Sequence, residues 1–147
     1  MTVSDGQRWH LEPAFSGKLG VKPGHRVHLV NPPTGFSEEL AAVSPHIILE
    51  PGLDQGPLDM ILAWPAGDLS TMFQRLLPSL RFNGAIWVVI PKKASKTAGP
   101  TFQSALQAAV PLGLVDNKTL SFSPTEYGIR FVIRRGLRKA APQTQLL

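Results

Sequence analysis

Nine residues hold the groups best able to do chemistry, and breaks in the sequence sort them into loops. Asn31, Thr34 and Gly35 lie in the run Asn31-Pro32-Pro33-Thr34-Gly35, and Glu50 closes His46-Ile47-Ile48-Leu49-Glu50. Trp64 precedes Pro65, and Lys92, Lys93, Ser95 and Lys96 crowd the segment after Pro91. Amide, hydroxyl and ammonium donors bind phosphate or carboxylate, and an indole offers a face for stacking. The set therefore predicts a site for a small anionic ligand, including one with an aromatic face. The simpler reading, which weighs more, takes Lys92, Lys93 and Lys96 as solvated loop charges and Trp64 as core.

Other chemistries lack their markers. His10, His25, His28 and His46 include no i, i+4 pair and no His-x-His, and there is no cysteine, so neither a zinc set nor a thiolate nucleophile can be assembled. The nucleophile elbow Gly-x-Ser-x-Gly and the phosphate loop Gly-x4-Gly-Lys-Ser/Thr are both missing. Asp54, Asp59 and Asp68 are scattered, with Asp59 inside an apolar run and Asp68 placed as a helix cap. No catalytic residue and no metal ligand is assigned.

The elements that must carry these loops centre on Leu58 to Lys93. LDMILAWP reads as a buried strand, AGDLSTMFQRLLPSLRF as an amphipathic helix and NGAIWVVIPKK as a second buried strand. The unbroken apolar run Ala85 to Ile90 suits a parallel strand covered on both faces. In the helix, Leu69, Met72, Phe73, Leu76 and Leu77 form one stripe. Upstream, the spacing predicts a first strand over Arg26 to Val30, a short helix from Ser37 to Val43 and a second strand from His46 to Leu49. Downstream, a helix opens at Pro100 or Thr101, with Phe102, Ala105, Leu106, Ala109 and Val110 facing inward. Strands over Val115 to Phe122 and Gly128 to Arg134 then close as a hairpin. The expected architecture is a three-layer, Rossmann-like α/β sheet, mostly parallel with an antiparallel C-terminal hairpin edge. Residues 1–17 read as an arm pinned by Trp9, Leu11 and Phe15, 18–135 as one domain, and 136–147 as a fraying basic and polar tail.

The net charge of +5 is uneven: residues 1–75 hold five Lys/Arg against eight Asp/Glu, and residues 76–147 hold ten against two. A basic second half fits solubility or an anionic partner. Arg130, Arg134, Arg135, Arg138 and Lys139 allow a nucleic-acid reading, but no exposed aromatic pair and no helix-turn-helix signature accompany them. No apolar run approaches the roughly 20 residues that cross a bilayer. The start of the chain has no basic-then-apolar layout, so the expectation is a cytoplasmic protein with no membrane partner.

The order of strands and helices resembles that of class I S-adenosylmethionine-dependent methyltransferases, shortened in its first half. At closer range the chain resembles an uncharacterised bacterial family, domain of unknown function 3052. KLGVKPGHRVHLVN (18–31), GPLD (56–59), GAIWVVIPKKASK (84–96), GLVDNK (113–118) and IRFVIR (129–134) carry that likeness. It departs at Glu126 and Tyr127, where the family often has tryptophan and serine. The resemblance implies a methyltransferase-like fold without an established activity. Such enzymes usually carry a glycine-rich turn after the first strand and an acid at the end of the second. Asn31-Pro32-Pro33-Thr34-Gly35 replaces the turn, and Glu50 stands where the acid belongs. Asn31-Pro32-Pro33-Thr34 is also similar to the N/D-P-P-Y/F motif of amino-methyltransferases, but it follows the wrong strand and ends without an aromatic, so it reads as a structural turn.

The expected function is non-catalytic binding or regulation through the carboxyl edge of the sheet, toward an unknown protein or a small anionic ligand, with no cofactor. The first alternative is an S-adenosylmethionine-dependent methyltransferase with an atypical cofactor site. The second is weak association with nucleic acid.

Overall fold

The computed structural model describes residues 11–54, 56–93 and 98–137. The elements are α1 (Phe15–Leu19), β1 (Arg26–Val30), α2 (Phe36–Val43), β2 (Ile48–Leu49), β3 (Leu58–Ala63), α3 (Leu69–Leu76), β4 (Leu80–Pro91), α4 (Phe102–Ala109), β5 (Leu114–Ser121) and β6 (Glu126–Ile133). They build a six-stranded sheet in the order β2-β1-β3-β4-β6-β5. The first four strands run parallel, and β6 is antiparallel to both β4 and β5. The α/β class, the parallel core and the antiparallel margin are as the sequence patterns predict. Val27 lies beside Met60, Ile61 beside Ile86 and Ala63 beside Val88, so the three central strands are same-direction neighbours.

Both faces of the sheet are covered, which accounts for the unbroken apolar runs. Ile61 and Ala63 of β3, with Ile86, Val88 and Ile90 of β4, point to one face, where Met72, Phe73 and Leu76 of α3 and Ala105 and Ala109 of α4 meet them. Met60, Leu62, Trp87 and Val89 point to the other, under Phe15 and Leu19 of α1 and Phe36 and Leu40 of α2. A strand alternates its side chains, so only one buried twice lacks a polar phase.

Local chemistry sets the ends of the elements. Asp68 caps α3, its carboxylate accepting from the Thr71 backbone N–H at 2.8 Å; that bond and a second from the Thr71 hydroxyl hold the Asp68 carboxyl below its usual pKa. Thr101 and Ser104 form a reciprocal capping box at the start of α4. α3 stops at Leu76 because Pro78 lies in the 3-10 turn that follows, and Leu80–Phe82 join β4 instead. That early start shifts the register between Leu58 and Met60. Gly84 fits the irregularity because a Cβ there would stand 2.8 Å from the Asp59 carbonyl oxygen.

Several expectations change. The segment read as an arm ends in a short helix, Phe15–Leu19, while Leu11 and Phe15, expected to pin it, are buried in the core with Leu19. Trp9 lies outside the described residues, as does 138–147 of the expected tail. β2 is only Ile48–Leu49, two residues of the predicted four. Phe102 and Val110 are exposed, whereas Ala105 and Ala109 are fully buried, because the small side chains are the ones α4 turns to the sheet.

Candidate functional site

The sheet order reverses between β1 and β3: β2 lies on one side of β1, and β3 and β4 on the other. In open α/β sheets the loops leaving the carboxyl ends at such a point diverge and leave a crevice for ligands. The loops here follow Val30 and Ala63, and one side chain joins them. Asn31, with φ of 55°, donates through Nδ2 to the Trp64 carbonyl at 3.3 Å. The Trp64 backbone N–H donates to the Val30 carbonyl at 2.9 Å, so the strands stay together to the rim.

Each of the two joined loops carries a glycine a few residues on. Gly35 (φ 89°) precedes α2 and Gly67 (φ 97°) precedes the Asp68 cap, and a Cβ at either would meet nothing within 4 Å. Positive φ excludes most side chains at both positions, and the open space lets a ligand approach the backbone. The turn that holds Gly35 is tightened by the Phe36 N–H donating to the Pro33 carbonyl at 3.0 Å. Thr34 is exposed beside it.

Trp64 is the floor. Its indole packs edge-on against Phe36, 4.7 Å away, and Phe122, 6.0 Å away, and it is nearly buried. The indole also favours the charged form of the Glu126 carboxyl group.

The other predicted residues disperse. Glu50 is ion-paired with Arg26, Oε2 to Nε at 2.6 Å, and its side chain is only 10% exposed. Because β2 ends opposite Val27, that carboxylate lies below the rim on which Asn31 and Trp64 meet. Lys92 is tied to the β5–β6 turn, donating from Nζ to Ser121 Oγ at 2.8 Å and from its backbone N–H to the Thr125 carbonyl at 2.8 Å. Lys93 is exposed, and Ser95 and Lys96 lie outside the described residues. The structure thus brings Asn31, Thr34, Gly35 and Trp64 together, keeps Lys92 on the same edge at the hairpin, and leaves Glu50 apart.

Sequence reasoning missed Glu126 as a rim residue. It opens β6 opposite Pro91 of β4, and its backbone N–H is held by Ser123 through the carbonyl at 3.4 Å and Oγ at 3.1 Å. One signal was available: Asp116 and Glu126 are the only acids after residue 75. Burial raises the Glu126 pKa above 4.5, and the Trp64 indole offsets this in part.

The raised pKa sets a sign for stability. The folded state holds the proton more tightly than the unfolded state, so stability declines as pH rises from 4.5 through the folded-state value, and the ionised carboxylate costs stability at neutral pH. Glu126→Gln should therefore raise the urea midpoint at pH 7, with the gain vanishing at pH 4. An equal gain at both pH values would exclude desolvation of the charge as its cause.

Two cavities bear on where a ligand binds. One of about 780 Å³ lies at the amino edge, between Leu53, Asp54, Gly56 and Pro57 on one side and Pro78–Asn83 on the other. It is bounded by Ser79 Oγ donating to the Leu53 carbonyl, and the Arg81–Asp59 ion pair lies beside it. The other, about 420 Å³, lies at the carboxyl end of β5, walled by Leu11, Phe15, Phe122, Ser121 and Lys18. The first is larger, but the second shares Ser121 and Phe122 with the rim that Trp64 and Lys92 occupy. No His, Asp and Glu grouping able to hold a metal occurs among the described residues. No helix among them is long and apolar enough to cross a membrane.

No family model and no curated protein matches the sequence. Solved structures do match in fold. Precorrin-6y C5,15-methyltransferase from Geobacter metallireducens aligns with a TM-score of 0.60 at 10% identity, over 89% of this chain and 96% of that one. A TehB-like SAM-dependent methyltransferase from Corynebacterium glutamicum aligns at 0.54 and 11%, over 83% and 87%. Aeropyrum pernix fibrillarin, solved with natively bound S-adenosyl-L-methionine, aligns at 0.51 and 14%, over 76% and 67%. The fold is methyltransferase-like. In this methyltransferase-like domain the residues suit an adenosyl-methionine ligand at the two open glycines and at the Glu126 rim. They do not suit it at Glu50, whose carboxylate Arg26 occupies.

Proposed function

We propose that the chain is an S-adenosylmethionine-dependent methyltransferase with an atypical cofactor site, acting in the cytoplasm, and that it belongs with the family called domain of unknown function 3052. The observation that carries this reading is the open, left-handed backbone at Gly35 and Gly67, one in each of the two loops that the Asn31–Trp64 bond joins, at the point where the strand order reverses. Three further features support it. The α/β layout is shared with several methyltransferases of known structure. Asn31 fixes the spacing of the two loops without a glycine-rich turn. The rim offers both a carboxylate, Glu126, and a tethered ammonium, Lys92, which match the two charges of an amino-acid moiety.

In this reading the methyl donor supplies an electrophilic methyl group. The chain orients it through backbone contacts at the two turns and excludes water with the Phe36, Trp64 and Phe122 floor. The Thr34 hydroxyl, exposed on the same edge, is a donor for the ligand's polar atoms.

A thermal-shift titration with S-adenosylmethionine and S-adenosylhomocysteine tests the reading. Saturable stabilisation is expected, on the order of 2.7 kcal/mol at a hundred times the dissociation constant. A flat response at millimolar ligand would remove the methyltransferase reading and leave a binding domain, to which the Arg26–Glu50 pair would then point.

A further inference from the structure

At the amino edge of the sheet, opposite the Asn31–Trp64 bond, polar groups converge that the proposed methyl transfer does not use. Asp59 of β3 accepts the Arg26 backbone N–H through Oδ2 at 2.8 Å and pairs through Oδ1 with Arg81 Nε of β4 at 3.0 Å. That pair is the only contact of its kind made by the Arg81 side chain among the described residues, so the two terminal nitrogens of its guanidinium are uncommitted. A guanidinium held by Nε presents a planar fork, which matches a carboxylate or phosphate through two parallel bonds. Asn83, two residues along the strand, is exposed, and its amide has no partner among the described residues. The nearby acids are taken: Asp59 by Arg26 and Arg81, and Asp54 is also engaged.

Arg81 and Asn83 both line the cavity of about 780 Å³, whose apolar walls include Leu53, Pro57, Pro78 and Phe82. Cavities of this size hold small molecules when apolar walls supply burial and a few polar groups set the orientation. Pro78, Leu80 and Phe82 also wall a second cavity of about 470 Å³, which Leu77, Leu112, Ile133 and Leu137 extend. Its far side is fixed by the backbone: the Arg134 N–H donates to the Gly113 carbonyl at 2.8 Å and the Leu137 N–H to the Arg134 carbonyl at 2.9 Å. The two adjoining cavities offer free donors at one end and hydrocarbon at the other. We propose that together they bind a long-chain organic anion, a fatty carboxylate or an alkyl phosphate monoester. Its head group takes the Arg81 fork, and its chain crosses Leu80 and Phe82 into the second cavity. This site is separate from the carboxyl edge and does not rest on the function proposed above.

Calorimetric titration of the full chain tests the site with dodecanoate, dodecyl phosphate, butyrate and dodecylammonium, the amphiphiles being kept below their micellar concentrations. At least one of the two long-chain anions is expected to bind, the tighter one identifying the head group, with butyrate and dodecylammonium each about tenfold weaker or more. R81Q should weaken the bound anion about tenfold, and R81K should recover part of the loss. Asp59 keeps its bond from the Arg26 N–H in both variants, and melting curves check that they fold. N83D sets a carboxylate on the same wall without removing a partner, so its expected loss of affinity keeps the site testable should R81Q not fold. L112Q, which places an amide in the second cavity, should weaken the long-chain anion about fivefold and leave butyrate unchanged. Failure of both long-chain anions to bind, or dodecylammonium binding as tightly as they do, overturns the proposal. So does wild-type affinity in folded R81Q, in N83D or in L112Q.

Discussion

Truncating Trp87 to alanine is expected to remove about 3–5 kcal/mol of folding stability. Trp87 is fully buried in the middle of β4, between Leu62 of β3 and Arg130 of β6. Its ring lies 5.9 Å from that of Phe122, within the face that also holds Phe15, Phe36 and Trp64. The cavity left by an indole cannot be refilled from this side, because neighbouring rings are already held edge-on against one another. A second loss adds to the first. Trp87 Nε1 donates to the Leu19 carbonyl at 3.2 Å, a contact across 68 residues that anchors α1 to the sheet. Without it that carbonyl is left short of a partner. Urea unfolding should show a lower midpoint with little change in slope, and Trp87→Phe, which keeps a ring and loses the donor, should fall between the two. A loss under about 1 kcal/mol for the alanine variant would mean that the Trp87 face is not the core it is taken to be.

Gly128→Ala is the opposite defect at the same place. A Cβ on Gly128 would stand 2.6 Å from Phe122 Cε1 and 2.9 Å from Trp87 Cε3. Both rings belong to the packed face, so the strand or the rings must shift, and overpacking of this kind costs about 1–3 kcal/mol. Gly128 does not have a positive φ, so the cost comes from space and not from backbone strain. Its neighbours in the ladder, Val89 of β4 and Leu120 of β5, hold β6 from both sides and limit relief by backbone movement. Phe122→Leu in the same chain should restore part of the loss, since residues that share a cavity couple by roughly 0.5–3 kcal/mol. Strict additivity of the two substitutions would show that Phe122 is not what the new methyl strikes.

The two defects share a cause with the candidate site: the aromatic face that Trp87 and Phe122 fill continues through Phe36 to Trp64. Trp64 is thereby held from below, leaving Asn31 to meet it from the rim. Packing and the proposed ligand contacts are therefore coupled, and variants of Trp87 or Gly128 should also weaken binding at the carboxyl edge.

Much of the fold was legible because its signals are local. Asp68 and Thr101 mark helix starts with side chains that bond a backbone N–H three residues on. Apolar runs without a polar phase mark strands buried twice, and Pro78 ends a helix by lacking a donor. Periodicity did not reveal α1, too short to show a stripe, nor the early start of β4, where pairing of Leu80 with Leu58 decides the matter.

The sequence by itself determined the kind of sheet, the position of most elements and the loops that could carry polar groups, since each of these follows from residues a few positions apart. Only the tertiary structure decided what those loops hold. Arg26 takes Glu50 from across 24 residues, Asn31 reaches Trp64 across 33, and Glu126 comes to the rim because β6 returns antiparallel beside β4. Strand order and register set those meetings, and neither is encoded in the spacing of neighbouring side chains.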